Sequence, residues 1–374
     1  MDRYCSYWEL VKAALWGETA VWPEEETERL LQLNAQQGTG PLVYPMVLQQ
    51  EGLSAATRTQ MKAVCVSNMQ RQVELQHTLE VAWKALEKAG IKAVLLKGAG
   101  LAALYPEPQR RTWGDIDIYV GKEQYHPACA ALRAAFPKAA TFEEELEHYK
   151  HYNLDTENVP IEVHRVTMSL QHPVDVRRYE RMEEWGMRGY GLQVTGYGLE
   201  VRVPEETFNV LFVFLHSWEH AIGGSANVRQ LCDLALMLHH YADRIDKERL
   251  RRWLKELHLL DVWQLYVYIL QHKLGLPAQE ALFSVSRLED ERIRGLEELL
   301  KGLEVTGYRL QVTGHRLQAT GPKNRFVRKW RTMMMRFETA KRVKKYSPSY
   351  ARHMNVTTLL HGAARLFAKD RKWE

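Results

Sequence analysis

Residues 96–120 read LKGAGLAALYPEPQRRTWGDIDIYV, and this stretch decides the fold. It starts at the end of the apolar run 93–96 and finishes in the Asp-Ile-Asp-Ile sequence of residues 115–118. Because successive side chains of a strand face opposite sides, we expect Asp115 and Asp117 to share one face while the isoleucines enter the core. Neighbouring carboxylates repel each other unless a cation lies between them, and Mg²⁺ carrying a substrate phosphate is a common solution. A glycine turn, a short helix and a strand with paired carboxylates therefore predict a nucleotide site.

Three short motifs carry a resemblance to a known family. They are Leu96-Lys97-Gly98, Tyr105-Pro106 and the Arg-Thr-Trp-Gly-Asp-Ile-Asp of residues 111–117. The stretch resembles the core of the DNA polymerase beta superfamily of nucleotidyltransferases, and more closely an uncharacterised bacterial nucleotidyltransferase family with LKG, YP and R-x-x-G-D-x-D. The superfamily more often has Gly-Ser where this chain has Lys97-Gly98. The resemblance implies an α+β fold, in which an α/β nucleotidyltransferase core with a small mixed sheet is flanked by N-terminal and C-terminal all-helical regions.

The resemblance also implies a third carboxylate on a later, adjacent strand. Glu162 is the best candidate, because residues 159–164, VPIEVH, alternate with a period of two and place it on the polar face. His164 lies on the same face. A carboxylate pair alone is usually a solvated strand edge, and it is the combination with Lys97-Gly98 and Glu162 that favours a metal site.

The chemistry implied by the resemblance is metal-assisted nucleotidyl transfer. Asp115, Asp117 and Glu162 are the predicted catalytic and metal-binding residues, and the metal is Mg²⁺ or Mn²⁺ acting as a two-metal clamp on an in-line displacement. The donor is ATP or another nucleoside triphosphate. The predicted nucleotide-binding residues are Lys97, Gly98, Gly100 and Arg111. For Lys97 and Arg111 the alternative is an ordinary ion pair.

A second block of candidate residues lies between residues 203 and 240. Residues 206–218 are apolar on nearly all sides, which predicts a buried helix. His216 to His220 formally match the zinc-protease pattern H-x-x-E-H, but no motif supplies a third ligand. The bacterial family has a similar pattern of two histidines followed by Leu-Arg-x-Leu-x-Asp, here residues 228–233. The candidates for binding the acceptor or accepting its proton are His164, His216, Glu219, His220, Arg229 and Asp233. The alternative is a buried polar network between helices.

The chain divides into five predicted regions. These are an N-terminal helical region (1–90), the nucleotidyltransferase core (91–202), a C-terminal helical domain (203–304), a heptad-repeat loop insertion (305–322) and a basic helical tail (323–374). The tail has 15 Lys/Arg against 3 Asp/Glu. We rank packing of the tail on the acidic body first, nucleic-acid binding second and membrane binding third.

Local patterns predict several elements. The N-terminal region is expected to end in a long helix, about 55–88, and to form a platform against the sheet. Further elements are a helix at about 123–136 and a strand at about 147–155, whose His148 and His151 could approach the site, although a plain strand role is favoured for both. The Val-Thr-Gly heptads also occur at 189–200, where a strand or hairpin is expected.

The composition limits the class of protein. The four cysteines, Cys5, Cys65, Cys129 and Cys232, form no C-x-x-C pair and follow no secretion signal, so we expect reduced thiols and a cytoplasmic location. The longest apolar run, 210–215, is too short for a transmembrane segment.

Three functions remain open from the sequence. The first is transfer of NMP, most simply AMP, to a hydroxyl or phosphate of a small molecule or a protein. The second places the acceptor on RNA, such as a tRNA end, with the basic tail as its support. The third is a catalytically silent nucleotide-binding or partner-protein module.

Overall fold

The protein was analysed as a computed structural model. The structure describes residues 5–141, 150–157, 159–168, 170, 173–188, 191–194, 199–223, 226–288, 290, 292–293, 334, 337–341, 343–344 and 347–367. The heptad insertion at 305–322, much of the basic tail and His148 lie outside the described residues.

The core is a five-stranded mixed sheet in the order β1-β2-β5-β4-β3. Its strands are β1 (Val94–Leu96), β2 (Ile116–Tyr119), β3 (Ala140–Thr141), β4 (His151–Asp155) and β5 (Pro160–His164). The central pair, β2 and β5, is parallel, and the other neighbours are antiparallel. Together with the surrounding helices, this small mixed sheet confirms the predicted α+β class.

Helices precede, interrupt and follow the sheet. The helices are α1 (Cys5–Trp16), α2 (Thr27–Gln37), α3 (Gly40–Val47), α4 (Ala55–Lys88), α5 (Gly98–Ala102), α6 (Gly121–Ala135), α7 (Pro173–Gly186), α8 (Glu206–Gly223), α9 (Val228–His240), α10 (Lys247–Glu256), α11 (Leu260–Leu274) and α12 (Pro348–Phe367). The predicted helix at 55–88 is confirmed at both ends. The Ser54 hydroxyl accepts a hydrogen bond from the Thr57 amide, and Gly90 follows with a φ of +71°. None of the described helices is long and apolar enough to cross a bilayer.

One face of the sheet is covered by α6 and the second half of α4. Ile116 and Ile118 of β2 are fully buried on this face, with Ile161 and Val163 of β5 beside them. From α4 and α6 come the apolar side chains of Leu75, Leu79, Trp83, Leu86, Tyr125 and Leu132. Of the N-terminal region, it is α4 that forms the predicted platform.

The other face of the sheet looks toward a larger helical core. Val94 and Leu96 of β1 join a cluster built mainly from α1–α3 and α8–α11. The Trp16 indole N–H donates a hydrogen bond to the Leu274 carbonyl oxygen, which ties α1 to α11. The helices at 5–47 therefore belong to the helical core rather than to the core under the sheet, and α1 contacts α11 directly.

Two smaller features complete the fold. The heptads near residue 190 form a hairpin, in which β6 (Gly191–Val194) pairs antiparallel with β7 (Leu199–Arg202). In the tail, the hydroxyls of Ser347 and Ser349 each donate to Asp261 Oδ2 at 2.6 Å. The described part of the basic tail thus packs on the body.

Candidate active site

The carboxylates lie on the sheet face that looks toward α8. Asp117 of β2 stands in register with Glu162 of the parallel strand β5, so the two side chains project from the same face. Asp115 precedes Asp117 by two residues, just before β2 begins. The strand pairing therefore brings together the three carboxylates that the sequence singled out.

Asp117 is the most enclosed of the three, with 2% of its surface exposed. Its Oδ1 lies 2.9 Å from His164 Nε2, and its Oδ2 lies 3.0 Å from Lys97 Nζ. The same His164 nitrogen is 3.3 Å from Glu162 Oε2. His164 therefore bridges the two acidic strands.

These contacts change the acidity of the site. Burial raises the pKa of Asp117, but the Lys97 ammonium and the hydrogen bond from His164 outweigh it and leave the pKa below its usual value. Burial likewise opposes ionisation of Glu162, yet His164 lowers its pKa to about 2. For His164, burial disfavours the imidazolium, and the hydrogen bonds to Asp117 and Glu162 reverse that effect and raise its pKa.

Asp115 behaves in the opposite way. The negative charge of Asp117, followed by burial, raises the pKa of Asp115 to about 6. Lys97 and Arg229 act against this shift without cancelling it. The site therefore holds one carboxylate whose charge is not fully compensated.

Lys97 has an unusual backbone and a central position. Its φ of 51° and ψ of −131° lie in a region that non-glycine residues rarely adopt. The side chain reaches between the sheet and α8, where Nζ lies 3.3 Å from His216 Nε2. Burial and the Lys97 charge hold the pKa of His216 well below its ordinary value, so its neutral ring accepts the hydrogen bond from Lys97.

His220 lies one turn further along α8. Its ring centroid is 4.5 Å from that of His216. Burial, then Lys97, lowers the pKa of His220 to about 4. Two neutral imidazoles therefore line the helical side of the site.

The two predicted phosphate-binding glycines start the short helix α5. Gly98 has a φ of +42°, and a Cβ there would lie 3.0 Å from the Trp113 ring. A Cβ on Gly100 would lie 3.3 Å from Val203. Gly98, directly after Lys97, needs glycine for its positive φ, whereas a Cβ on Gly100 would require Val203 to shift by a few tenths of an ångström.

Arg111 and Asp233 form a buried ion pair. Arg111 Nε donates to Asp233 Oδ1 at 2.7 Å, its Nη2 donates to Oδ2 at 2.8 Å, and its Nη1 donates to the Gly98 carbonyl at 3.2 Å. The Tyr105 hydroxyl adds a 2.8 Å hydrogen bond to Asp233 Oδ1. The sequence offered Arg111 for phosphate or an ion pair, and Asp233 for proton transfer or a buried polar network, and in the structure the two side chains form a buried ion pair with each other.

Two other candidates lie apart from the carboxylates. Arg229 donates a hydrogen bond to the Thr112 carbonyl and is close enough to favour ionisation of Asp115. Glu219 is exposed, and its charge acts on Tyr179 and Tyr350. The H-x-x-E-H residues form no metal-ligand cluster within the part of the chain that the structure describes.

The sequence did not single out Lys150, and it favoured a plain strand role for His151 over an approach to the site. His151 Nδ1 lies 3.8 Å from Glu162 Oε2, and His151 stands opposite His164 in the antiparallel register of β4 and β5. Lys150 lowers the pKa of both His216 and His220. Only the register of β4, which local patterns do not reveal, could have indicated either residue.

The side chains present fit a divalent cation. The raised pKa of Asp115 reflects a repulsion that a cation would relieve, and carboxylate oxygens are the donors that Mg²⁺ and Mn²⁺ prefer. His151, Glu162 and His164 also offer ligand atoms within 4.8 Å of one another. Oxygen and nitrogen donors therefore meet at the same place.

Comparison with known families agrees with this geometry. The model of a family described as "Uncharacterised nucleotidyltransferase" matches residues 23–275, which run from before α2 to the end of α11. No curated protein and no solved structure matches the chain. The matched region contains the whole sheet, the three carboxylates and the histidines of α8. The chain therefore belongs to this uncharacterised family of nucleotidyltransferases, and it is a transferase.

Proposed function

We propose that this protein uses Mg²⁺ or Mn²⁺ to transfer NMP, most simply AMP from ATP, to a hydroxyl or phosphate of a small-molecule or protein acceptor. The observation that carries the proposal is the set of Asp115, Asp117 and Glu162 on one sheet face, in which Asp117 is buried and the other two are half-buried. Family membership supports nucleotidyl transfer, and the choice of metal, donor and acceptor is our inference.

Asp115, Asp117 and Glu162 are the residues we assign to the metal. When bound, the metal would neutralise charge on the transferred phosphoryl group and activate the acceptor oxygen. Lys97 brings a positive charge to Asp117, 3.0 Å from Oδ2, and we assign it to the triphosphate. We assign the backbone N–H groups of Gly98 and Gly100 to the same triphosphate.

The acceptor side is assigned to α8. His216 and His220 face the carboxylates as neutral imidazoles, and the low pKa of each favours hydrogen bonding over ion pairing. Arg111 and Asp233 are given a positioning role, because their polar atoms are occupied by each other. Glu219 has no role in this proposal.

RNA is the second candidate acceptor. The excess of 15 basic over 3 acidic residues in 323–374 favours it. Against it, the described part of this segment contacts the body through Asp261 and Asp175. A catalytically silent module is disfavoured because all three carboxylates are present.

Calorimetric titration with non-hydrolysable nucleoside triphosphates, in Mg²⁺, Mn²⁺ or EDTA, tests the proposal. We expect metal-dependent binding of at least one nucleotide, weakened about 100-fold or more in the Asp115→Asn/Asp117→Asn double variant. Asp155→Asn is the matched control, because Asp155 is an exposed aspartate of the same sheet. A folded native chain that binds none of the nucleotides in either metal would contradict the proposal.

A further inference from the structure

A cavity of about 330 Å³ lies between α7 and α10. Its lining residues are Arg178, Arg181, Met182, Trp185, Arg249, Arg252, Trp253 and Glu256. Trp253 packs against Phe208 at the start of α8, with ring centroids 6.5 Å apart. His216 of the active site comes eight residues later, which is about 12 Å along the helix. The cavity is therefore separate from the carboxylate site.

The lining carries a large positive excess, with four guanidinium groups against the single carboxylate of Glu256. Arg178 is partly neutralised, because Nη1 lies 3.2 Å from Asp175 Oδ1 and donates to the Glu256 carbonyl oxygen at 2.8 Å. Arg181 and Arg252 are exposed at the rim and form no ion pair with any residue that the structure describes. Two guanidinium groups are thus available to an anion.

The floor of the cavity is aromatic and rigid. The Trp185 and Trp253 rings meet edge to face, with centroids 5.4 Å apart. The Arg249 guanidinium lies 3.9 Å above the Trp185 ring, and its Nε is 3.1 Å from Asp246 Oδ2. Arg249 is held by these two contacts, which leaves the phosphate to the exposed Arg181 and Arg252, and arginine forks match the oxygens of a phosphate.

We propose that this cavity binds an organic phosphate of nucleotide size. Arg181 and Arg252 would hold the phosphate, and Trp185 and Met182 would contact the apolar or planar body. The volume is at the lower end for small-molecule sites, and it is too small for a helix or a duplex. The site needs neither the carboxylates nor a metal, so it stands or falls independently of the proposed function.

The site is tested by measuring AMP binding in EDTA with calorimetry and with tryptophan fluorescence. We expect saturable binding that is weakened about tenfold or more in Arg181→Gln/Arg252→Gln, since two charged hydrogen-bond donors are lost. The control is Arg177→Gln/Arg251→Gln, which makes the same charge change on the same two helices outside the cavity and should alter affinity less than about twofold. Trp185→Phe should reduce the fluorescence change, because Trp185 and Trp253 both line this cavity and only Trp253 remains to report binding.

Four results would overturn the inference. These are failure of AMP to bind, equal weakening in the control variant, inorganic phosphate binding as tightly as AMP, and a fluorescence change that is undiminished in Trp185→Phe. A short RNA strand that binds where AMP does not would replace the small ligand with a nucleic-acid surface.

Discussion

Asp115 and Asp117 have the same side chain and lie two positions apart, yet their surroundings shift their pKa values in opposite directions. Asp117 has His164 at 2.9 Å and Lys97 at 3.0 Å, so its ionised form is stabilised. Asp115 faces the negative charge of Asp117, and its pKa rises to about 6 from the ordinary 3.8. The neighbours of Asp117 therefore stabilise its ionised form, whereas the ionised form of Asp115 is destabilised by electrostatic repulsion.

We expect this repulsion to appear in the pH dependence of stability. Because the folded-state pKa of Asp115 is raised, the folded chain holds a proton between about pH 4 and 6 that the unfolded chain has released. The Asp115 contribution to the free energy of unfolding should therefore fall across this window as pH rises, by up to about 3 kcal/mol. Asp115→Asn should remove that fall, and in EDTA at pH 7.5 it should raise the melting temperature.

Asp117→Asn is the matched comparison, and the expected sign is opposite. Removing this charge leaves Lys97 without its ion-pair partner and His164 with Glu162 alone, so the melting temperature at pH 7.5 should decrease. Urea unfolding of the two variants at pH 5 and 7.5 checks both statements. Equal destabilisation by both substitutions would refute the asymmetry between the two carboxylates.

The residues of the site differ in how far the sequence could reveal them. Asp115, Asp117 and Glu162 were identified because strand periodicity and the motif around Lys97 are local signals. His151 was given an ordinary strand role, since its position opposite His164 depends on the register between β4 and β5. Register is set by pairing across the sheet, which one strand's pattern does not contain.

The helices and strands likewise depend partly on local signals and partly on contacts between distant residues. The predicted bounds of α4, about 55–88, agree with the structure, where the signals at both ends are local: Ser54 caps the first turn and Gly90 follows the last. The contact between α1 and α11 joins residues 258 positions apart, and the Arg111 to Asp233 pair joins residues 122 apart. Such pairings depend on the assembled fold, and the sequence therefore offered an ion pair for Arg111 and a polar network for Asp233 only as alternatives to nucleotide binding and proton transfer.

The Arg111–Asp233 pair ties α9 to the segment between α5 and β2. Both side chains are about 5% exposed or less, and the two parallel hydrogen bonds are 2.7 and 2.8 Å long. Arg111 also donates to the Gly98 carbonyl at 3.2 Å, so the pair fixes the start of α5 against the helical region. The phosphate-binding segment is therefore positioned by a contact from α9.

Asp233→Ala should destabilise the protein by about 3–5 kcal/mol, because it leaves the Arg111 guanidinium buried without a counter-charge. An apolar pair, Arg111→Met/Asp233→Leu, should recover much of that loss, since no unpaired charge remains. Chemical denaturation of the two variants and the native chain measures both values. A loss below about 1 kcal/mol in Asp233→Ala would mean that water reaches the pair and that α9 does not position the segment.

Helix α4 connects the two cores of the molecule. Met61 belongs to the helical core, and Leu75 belongs to the core under the sheet. Between them, the Asn68 amide donates to the Gln109 carbonyl at 2.7 Å, and Arg71 Nη2 donates to the Gly114 carbonyl at 2.9 Å. The middle of α4 thus holds the loop that leads into Asp115, although its outer surface is largely exposed.

A break in the middle of α4 should therefore destabilise regions far from the substitution. Gln70 is exposed in the middle of the helix, so Gln70→Pro removes a backbone hydrogen bond and introduces a clash without disturbing a buried side chain. We expect a loss of about 3 kcal/mol or more, with faster amide hydrogen exchange in residues 108–116 and in α2 and α3 as well as in α4. Gln70→Ala keeps the helix and should leave exchange at both places unchanged. Hydrogen exchange read by mass spectrometry separates the possibilities, because acceleration confined to α4 would show that each core holds its side of the site without the helix between them.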